Sequence, residues 1–172
     1  MKPASKFLLP ILALLLSACA TTPESPRWPD LQGASNPQHN RLVSGQPTPA
    51  ELVELERAGV RHVVNARGIG EFEAWDEETL VESLGLQYHR VPIATPNDLD
   101  LEAVTAFDRV LERIGEDPAF LHCASGNRIG ALYALRAGWI QGESPERAIA
   151  IGRAHGLTSL EATVREKLES DG

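Results

Sequence analysis

Residues 129–140 read Ile-Gly-Ala-Leu-Tyr-Ala-Leu-Arg-Ala-Gly-Trp-Ile, with one charge in the run, at Arg136. A helix of this composition is apolar nearly all round. It must be covered on every side, so it belongs at the centre of a fold. A short apolar run at residues 119–122 precedes it and reads as a buried strand. The same alternation recurs upstream. Residues 41–44, 60–65 and 86–93 read as strands. Thr48-Pro49-Ala50-Glu51 is a capping box with Pro at the first helical position, opening a helix that Gly59 stops. Residues 73–84 read as a second helix, with Gly85 as its stop. Leu101, Val104, Phe107, Leu111 and Ile114 recur at helical spacing and mark one apolar face. Ser144-Pro145-Glu146 and Thr158-Ser159-Leu160-Glu161 open two more helices. Strands separated by helices predict an α/β fold: a mainly parallel or mixed central sheet with helices on both faces.

The first forty residues have a different character. Lys2 and Lys6 precede an apolar stretch at 7–16 that is too short for a bilayer-spanning helix, which needs roughly 20 residues. It fits the hydrophobic region of a signal peptide. It runs into Leu16-Ser17-Ala18-Cys19, which resembles the bacterial lipobox. That resemblance implies a signal peptide over 1–18 and a lipid on Cys19, hence a membrane partner through the N-terminal lipid. It also implies a place in the bacterial cell envelope on the periplasmic face. Ala20 is not the Asp that resembles an inner-membrane retention signal, which favours the outer membrane. Residues 19–40 hold Pro23, Pro26, Pro29 and Pro37 among polar residues and are expected to be a tether. The domain is then expected over 41–172. Of two cysteines, lipidation of Cys19 leaves Cys123 as the only free thiol. The net charge of −8 and the lack of any Lys/Arg run exclude nucleic acid as a partner.

The chemistry concentrates at Phe120-Leu121-His122-Cys123-Ala124-Ser125-Gly126-Asn127-Arg128-Ile129-Gly130. Cys123 falls at the carboxyl end of a strand and at the mouth of a helix. There, backbone N–H groups and the helix dipole favour an anion, and with it a thiolate nucleophile. Gly126 lets the loop curl around an oxyanion. Arg128 offers a planar two-pronged donor that Lys could not match. Ala124, Ser125, Gly126, Asn127 and Arg128 are therefore the candidate binders of a small anionic substrate or phosphorylated molecule.

His122-Cys123 followed by a Gly-bearing loop and Arg128 resembles the phosphate-binding loop of the protein-tyrosine/dual-specificity phosphatase superfamily. Ser44-Gly45-Gln46-Pro47, Gly59-Val60 leading to Val63-Val64-Asn65-Ala66-Arg67, then Glu71, and Gly85-Leu86-Gln87-Tyr88 leading to Val91-Pro92-Ile93 resemble the phosphatase-like domain of the β-lactamase-hydrolase-like family. The likeness covers residues 41 to about 160. It implies a tyrosine-phosphatase-like fold, Cys123 as nucleophile, Arg128 as oxyanion binder and His122 as a brace for the loop backbone.

The departures are specific. Tyrosine phosphatases place one more residue between Cys and Arg than the four here, Ala124 to Asn127. They follow Arg with a hydroxyl, where this chain has Ile129. Their general-acid position aligns with Thr95; the nearest carboxylates are Asp98 and Asp100, and Asp98 is the candidate acid. Trp28-Pro29-Asp30 matches their acid-loop tripeptide but lies in the Pro-rich tail and is read as coincidence. The four-residue spacing also resembles rhodaneses, which implies a Cys123 persulfide and sulfur transfer as the alternative. A catalytically silent anion-binding envelope lipoprotein is the third reading. No cofactor is implied, and His39, His62, His89 and His155 show no metal-ligand spacing. Arg67 with Glu71 is expected to be an ion pair at the mouth of the site. Trp75 and Trp139 are expected in the core, and Asp76-Glu77-Glu78 as the charged first turn of a helix.

Overall fold

A computed structural model describes residues 26–170. The predicted signal peptide over 1–18, Cys19 and the first part of the tether lie outside the described residues. In chain order the elements are β1 (Ser35–Gln38), β2 (Arg41–Ser44), α1 (Pro49–Arg57), β3 (His62–Arg67), α2 (Glu77–Ser83), β4 (Gln87–Ile93), α3 (Leu101–Ile114), β5 (Ala119–His122), α4 (Asn127–Trp139), α5 (Pro145–Ala154) and α6 (Glu161–Ser170). A short 3-10 turn, Pro96–Asp98, separates β4 from α3. The sheet order is β1-β2-β5-β3-β4. β2, β5, β3 and β4 pair in parallel, and only β1 runs antiparallel, on the edge. The α/β architecture with a mixed, mainly parallel sheet is as expected.

Two apolar layers explain why the sheet is covered on both sides. Leu52 and Leu55 of α1 and Val81 of α2 pack with Leu42, Val63 and Phe120 on one face. Val104 and Phe107 of α3, Ile149 of α5 and Val164 of α6 pack with Val64 and Leu121 on the other. α4 lies in that second layer with Ile129, Leu132 and Leu135 fully buried, as its all-round apolar sequence requires. Burial of each such side chain stabilises the fold by about 1.5–3 kcal/mol. Caps fix where the helices begin. Thr48 and Glu51 form the predicted capping box. Asp100 accepts from Ala103 N at 2.9 Å, and Ser144 Oγ from Arg147 N at 3.3 Å.

The folded unit starts earlier than Arg41. Trp28 and Leu31 pack on the first apolar layer, and Ser35–Gln38 pairs with β2. The tether expected to reach residue 40 is therefore structured over this stretch. β1 is polar, and as an edge strand it needs only one hydrogen-bonded side and no continuous apolar run. α2 begins at Glu77, not at Glu73, because the Asp76 side chain accepts from Thr79 N at 3.1 Å and caps the helix there. Among the described residues no helix is long and apolar enough to cross a membrane, and no cluster of three or more His, Cys, Asp or Glu could hold a metal ion.

Candidate active site

β5 is the central strand, flanked by β2 and β3, so its carboxyl end opens into the middle of the sheet's C-terminal edge. This is where parallel α/β sheets place ligands. The loop between β5 and α4 begins at Cys123, whose side chain is only 1% exposed. Gly126 has φ 84°, the left-handed region that favours glycine. Its N–H then turns back to donate to Cys123 Sγ at 3.1 Å. The first N–H groups of α4 have no intrahelical acceptor and are available to an anion.

Glycines elsewhere hold the loop in place. Gly45 abuts the Ala124 carbonyl, and a Cβ there would sit 2.8 Å from that oxygen. Gly130, one turn into α4, passes so close to the Leu157 backbone that any Cβ would overlap it. Asn127 completes the attachment: its Oδ1 accepts from Thr158 N at 2.8 Å, and its Nδ2 donates to Ser159 Oγ at 2.7 Å. Asn127, a candidate binder by sequence, lines the cavity and uses its side chain to anchor the loop to the turn before α6.

Arg128 is held by Glu71 in an end-on grip. Nη1 donates to Glu71 Oε2 at 2.5 Å and to the Ile93 carbonyl at 2.6 Å, and Nη2 donates to Glu71 Oε1 at 2.6 Å. An Arg side chain has five N–H donors. The two left over, on Nε and Nη2, form the side-on fork that suits an oxyanion. Glu71 therefore fixes the guanidinium without closing that edge. The hydrogen bond from Arg128 holds the Glu71 carboxyl down at about 2, so Glu71 is an anion at any ordinary pH. Arg128 in turn keeps its proton more tightly, because of Glu71 first and Cys123 as well. The expected Arg67–Glu71 ion pair is present at 3.3 Å. Arg67 Nη1 also donates to Gln46 Oε1 at 2.9 Å.

Behind the loop lies a residue that the sequence concealed. Glu77 opens α2, yet it is 5% exposed and accepts from Gln46 Nε2 at 2.6 Å and Asn65 Nδ2 at 3.2 Å. Nε2 of His122 meets its Oε1 at 2.7 Å. Burial pushes the Glu77 carboxyl up, but the hydrogen bond and charge of His122, with Gln46, outweigh it and hold the group ionised. The expected bracing of the loop backbone by the His122 ring is replaced by this contact. Among the described residues its Nδ1 has no hydrogen-bond partner, and the ring stacks on Phe120.

Asp98 is engaged by its own turn. Its Oδ2 accepts from Thr95 N at 2.7 Å, Ala94 N at 2.9 Å and Thr95 Oγ1 at 3.2 Å. These bonds, the Thr95 amide foremost, lower its carboxyl and tie it back to Thr95, the cap of the 3-10 turn. Asp100 caps α3. The cavity over the loop, of about 290 Å³, is walled by Ile93, Ala94, Thr95, Pro96, Leu160, Ser125 and Asn127, with Glu71 and Arg128 as its charged groups. A second hollow of about 500 Å³ lies on the other side of Ala124 and Ser125, against Leu31–Gly33 and Ser44–Thr48.

No family model matches the chain. A β-lactamase hydrolase-like protein from Xylella fastidiosa (strain Temecula1) is 32% identical over 120 residues, covering 67% of this chain and 27% of that protein. The chain thus spans about a quarter of the length of the curated relatives it matches. A solved structure from Neisseria meningitidis Z2491, provisionally described as a phosphatase, superposes with a TM-score of 0.66 and 23% identity, over 83% of this chain and all of that one. Tk-PTP in its active form superposes with a TM-score of 0.59 and 22% identity, over 81% and 97% of the two chains. The chain has the tyrosine/dual-specificity phosphatase fold. In this fold the strand–Cys–loop–Arg–helix unit begins on the central strand, β5. α4 starts at Asn127, inside the Cys–Arg interval.

Proposed function

We propose that the domain is a cysteine-dependent phosphatase-like hydrolase acting on phosphate esters through a cysteinyl-phosphate intermediate. The observation that carries this is the pairing of a buried Cys123 sulfur, already accepting one loop amide, with an Arg128 whose side-on fork is left free by Glu71. The Cys123 thiolate attacks phosphorus in line. An S–P bond forms as the P–O bond to the leaving group breaks, and that oxygen carries off the electron pair. Arg128 and the amides at the start of α4 bind the equatorial oxygens. Water then attacks phosphorus, the S–P bond breaks, and phosphate and the thiolate are regenerated with the water's proton passing to solvent. The test is release of p-nitrophenol from p-nitrophenyl phosphate, with a phosphocysteine trapped on Cys123. No turnover, or turnover surviving Cys123→Ser, would overturn the reading.

The four-residue interval between Cys123 and Arg128 favours a second reading, a rhodanese-type sulfurtransferase. There Cys123 takes the outer sulfur of thiosulfate with release of sulfite, and cyanide removes it as thiocyanate. Thiocyanate formation in the absence of phosphatase turnover selects this reading. Activity in neither assay selects an anion-binding role. We further propose that the chain is lipidated at Cys19 and held at the outer membrane's periplasmic face, on the strength of Leu16-Ser17-Ala18-Cys19. Palmitate labelling that persists in Cys19→Ala would exclude it.

A further inference from the structure

Gln46 sits where three supports of the site meet. Its backbone N–H donates to the Ala124 carbonyl of the anion-binding loop at 3.4 Å. Its side-chain Nε2 donates to Glu77 Oε2 at 2.6 Å, and its Oε1 accepts from Arg67 Nη1 at 2.9 Å. A side-chain amide has one donating and one accepting end. With an anion on one side and a cation on the other, its orientation is decided: the flipped amide would set oxygen against carboxylate and N–H against guanidinium. Arg67 carries this order outward. Its Nη2 donates to the Glu71 carbonyl at 3.2 Å, its Nε lies 3.3 Å from Glu71 Oε1, and its guanidinium lies 4.7 Å from the centre of the Phe72 ring. Glu71 in turn grips Arg128. Asn65 joins Glu77 to the Arg67 backbone, donating from Nδ2 at 3.2 Å and accepting from Arg67 N at 2.7 Å. Gln46 joins Glu77 to the Arg67 guanidinium.

We infer that Gln46 is a positioning residue for Arg128, acting through Arg67 and Glu71. This rests on the oxyanion-binding role given to Arg128 in the phosphatase reading above. The buried Glu77 anion fixes which way the Gln46 amide points. The amide oxygen holds one end of the Arg67 guanidinium, and Arg67 holds the Glu71 segment from which Arg128 is gripped. Gln46→Met keeps the length of the side chain and removes the amide. Arg67 then follows Glu71 instead of holding it, and the Arg128 fork loses its fixed aim. A misplacement of about 1 Å caused by a residue remote from the chemistry can cost about 100-fold in rate.

The experiment measures the Kd of inorganic phosphate by calorimetry, and kcat/KM for p-nitrophenyl phosphate, on the full chain and its Gln46→Met, Arg67→Met and double variants. We expect Gln46→Met to weaken phosphate binding about tenfold, the scale of one hydrogen bond to a charged group. Its kcat/KM should fall about 100-fold. Arg67→Met should act alike, and the double variant should lie within about threefold of the weaker single one, because both changes cut the same chain of contacts. A merely structural role lowers the folded fraction and leaves the Kd of the folded protein unchanged; that result overturns the inference. So do losses that multiply in the double variant. Should Gln46→Met not fold, Arg67→Met decides alone, and a Kd within about threefold of the parent's overturns the inference. A parent that binds phosphate without releasing p-nitrophenol defeats the phosphatase reading, while the binding constants still decide on Gln46. A parent that binds no phosphate defeats both.

Discussion

Oε1 of Glu77 lies 2.7 Å from Nε2 of His122, inside the fold and directly behind the nucleophile. The residue that precedes Cys123 is thus fixed by a carboxylate from the start of α2, a distant segment of the chain. Glu77→Ala removes the anion that His122, Gln46 and Asn65 all point at. Breaking a buried pair in this way costs about 3–5 kcal/mol. Glu77→Gln keeps the volume and should cost less. Urea denaturation monitored by circular dichroism checks both, and a Glu77→Ala loss below about 1 kcal/mol would show that water replaces the carboxylate.

Gly130→Ala tests the contact between α4 and the turn before α6. A methyl group there meets the Leu157 backbone and, more distantly, Gly156, neither of which can rotate away. The turn must move, and with it the anchor that Asn127 makes to Thr158 and Ser159. Overpacking of this kind costs about 1–3 kcal/mol. The melting temperature should drop, and p-nitrophenyl phosphate turnover should drop more than stability alone explains.

Arg128→Lys keeps the charge and loses the fork. One ammonium cannot both hold Glu71 and present two parallel donors to an oxyanion. A fall in kcat/KM of about 100-fold is expected, the scale of losing one oriented oxyanion donor. A Lys variant within a few-fold of the parent would mean that the oxyanion is bound by loop amides alone.

Stability should fall in mild acid because of a pair of histidines at the far end of the sheet. His62 Nδ1 and His89 Nε2 are 3.0 Å apart, so one ring must donate and the other accept. Burial holds His89 at about 4, with the charges of His62 and Arg113 adding to it. His62 is lowered by burial too, against the opposing pull of Asp117. A histidine depressed in the folded state binds more protons when unfolded, so stability is lost as pH falls through about 6.5 toward 4. For His89 the full effect is about 3 kcal/mol. Glu71, also depressed, loses its contribution only lower, between its ordinary value of 4.5 and about 2. Melting temperatures between about pH 7 and 5 therefore isolate the histidines. His89→Gln should flatten the curve in that window.

The parts of the fold governed by local rules were legible from sequence. β2 and β5 occur at the predicted residues, the Thr48 capping box is formed, and α4 is buried as its composition demands. The loop itself was legible because Cys, Gly and Arg carry their chemistry in their identity. What escaped was whatever depends on a distant partner. Asp76-Glu77-Glu78 looks like an ordinary acidic first turn, and nothing local tells that the middle carboxylate turns inward to His122. Asn127 was read as one of the loop residues around an anion, and nothing local tells that its side chain reaches partners about thirty residues downstream. Asp98 has the right type and neighbourhood for an acid, but backbone amides within its own turn claim it first.

Cys123 is the sole cysteine among the described residues, and its sulfur is almost wholly enclosed. A peroxide that does reach it produces a sulfenic acid with no neighbouring thiol to capture it as a disulfide. The next step up the ladder, to sulfinic acid, is irreversible for ordinary proteins. The working lifetime of the nucleophile is therefore set by two rates: how slowly oxidant reaches the enclosed sulfur, and how quickly a small thiol can follow it in.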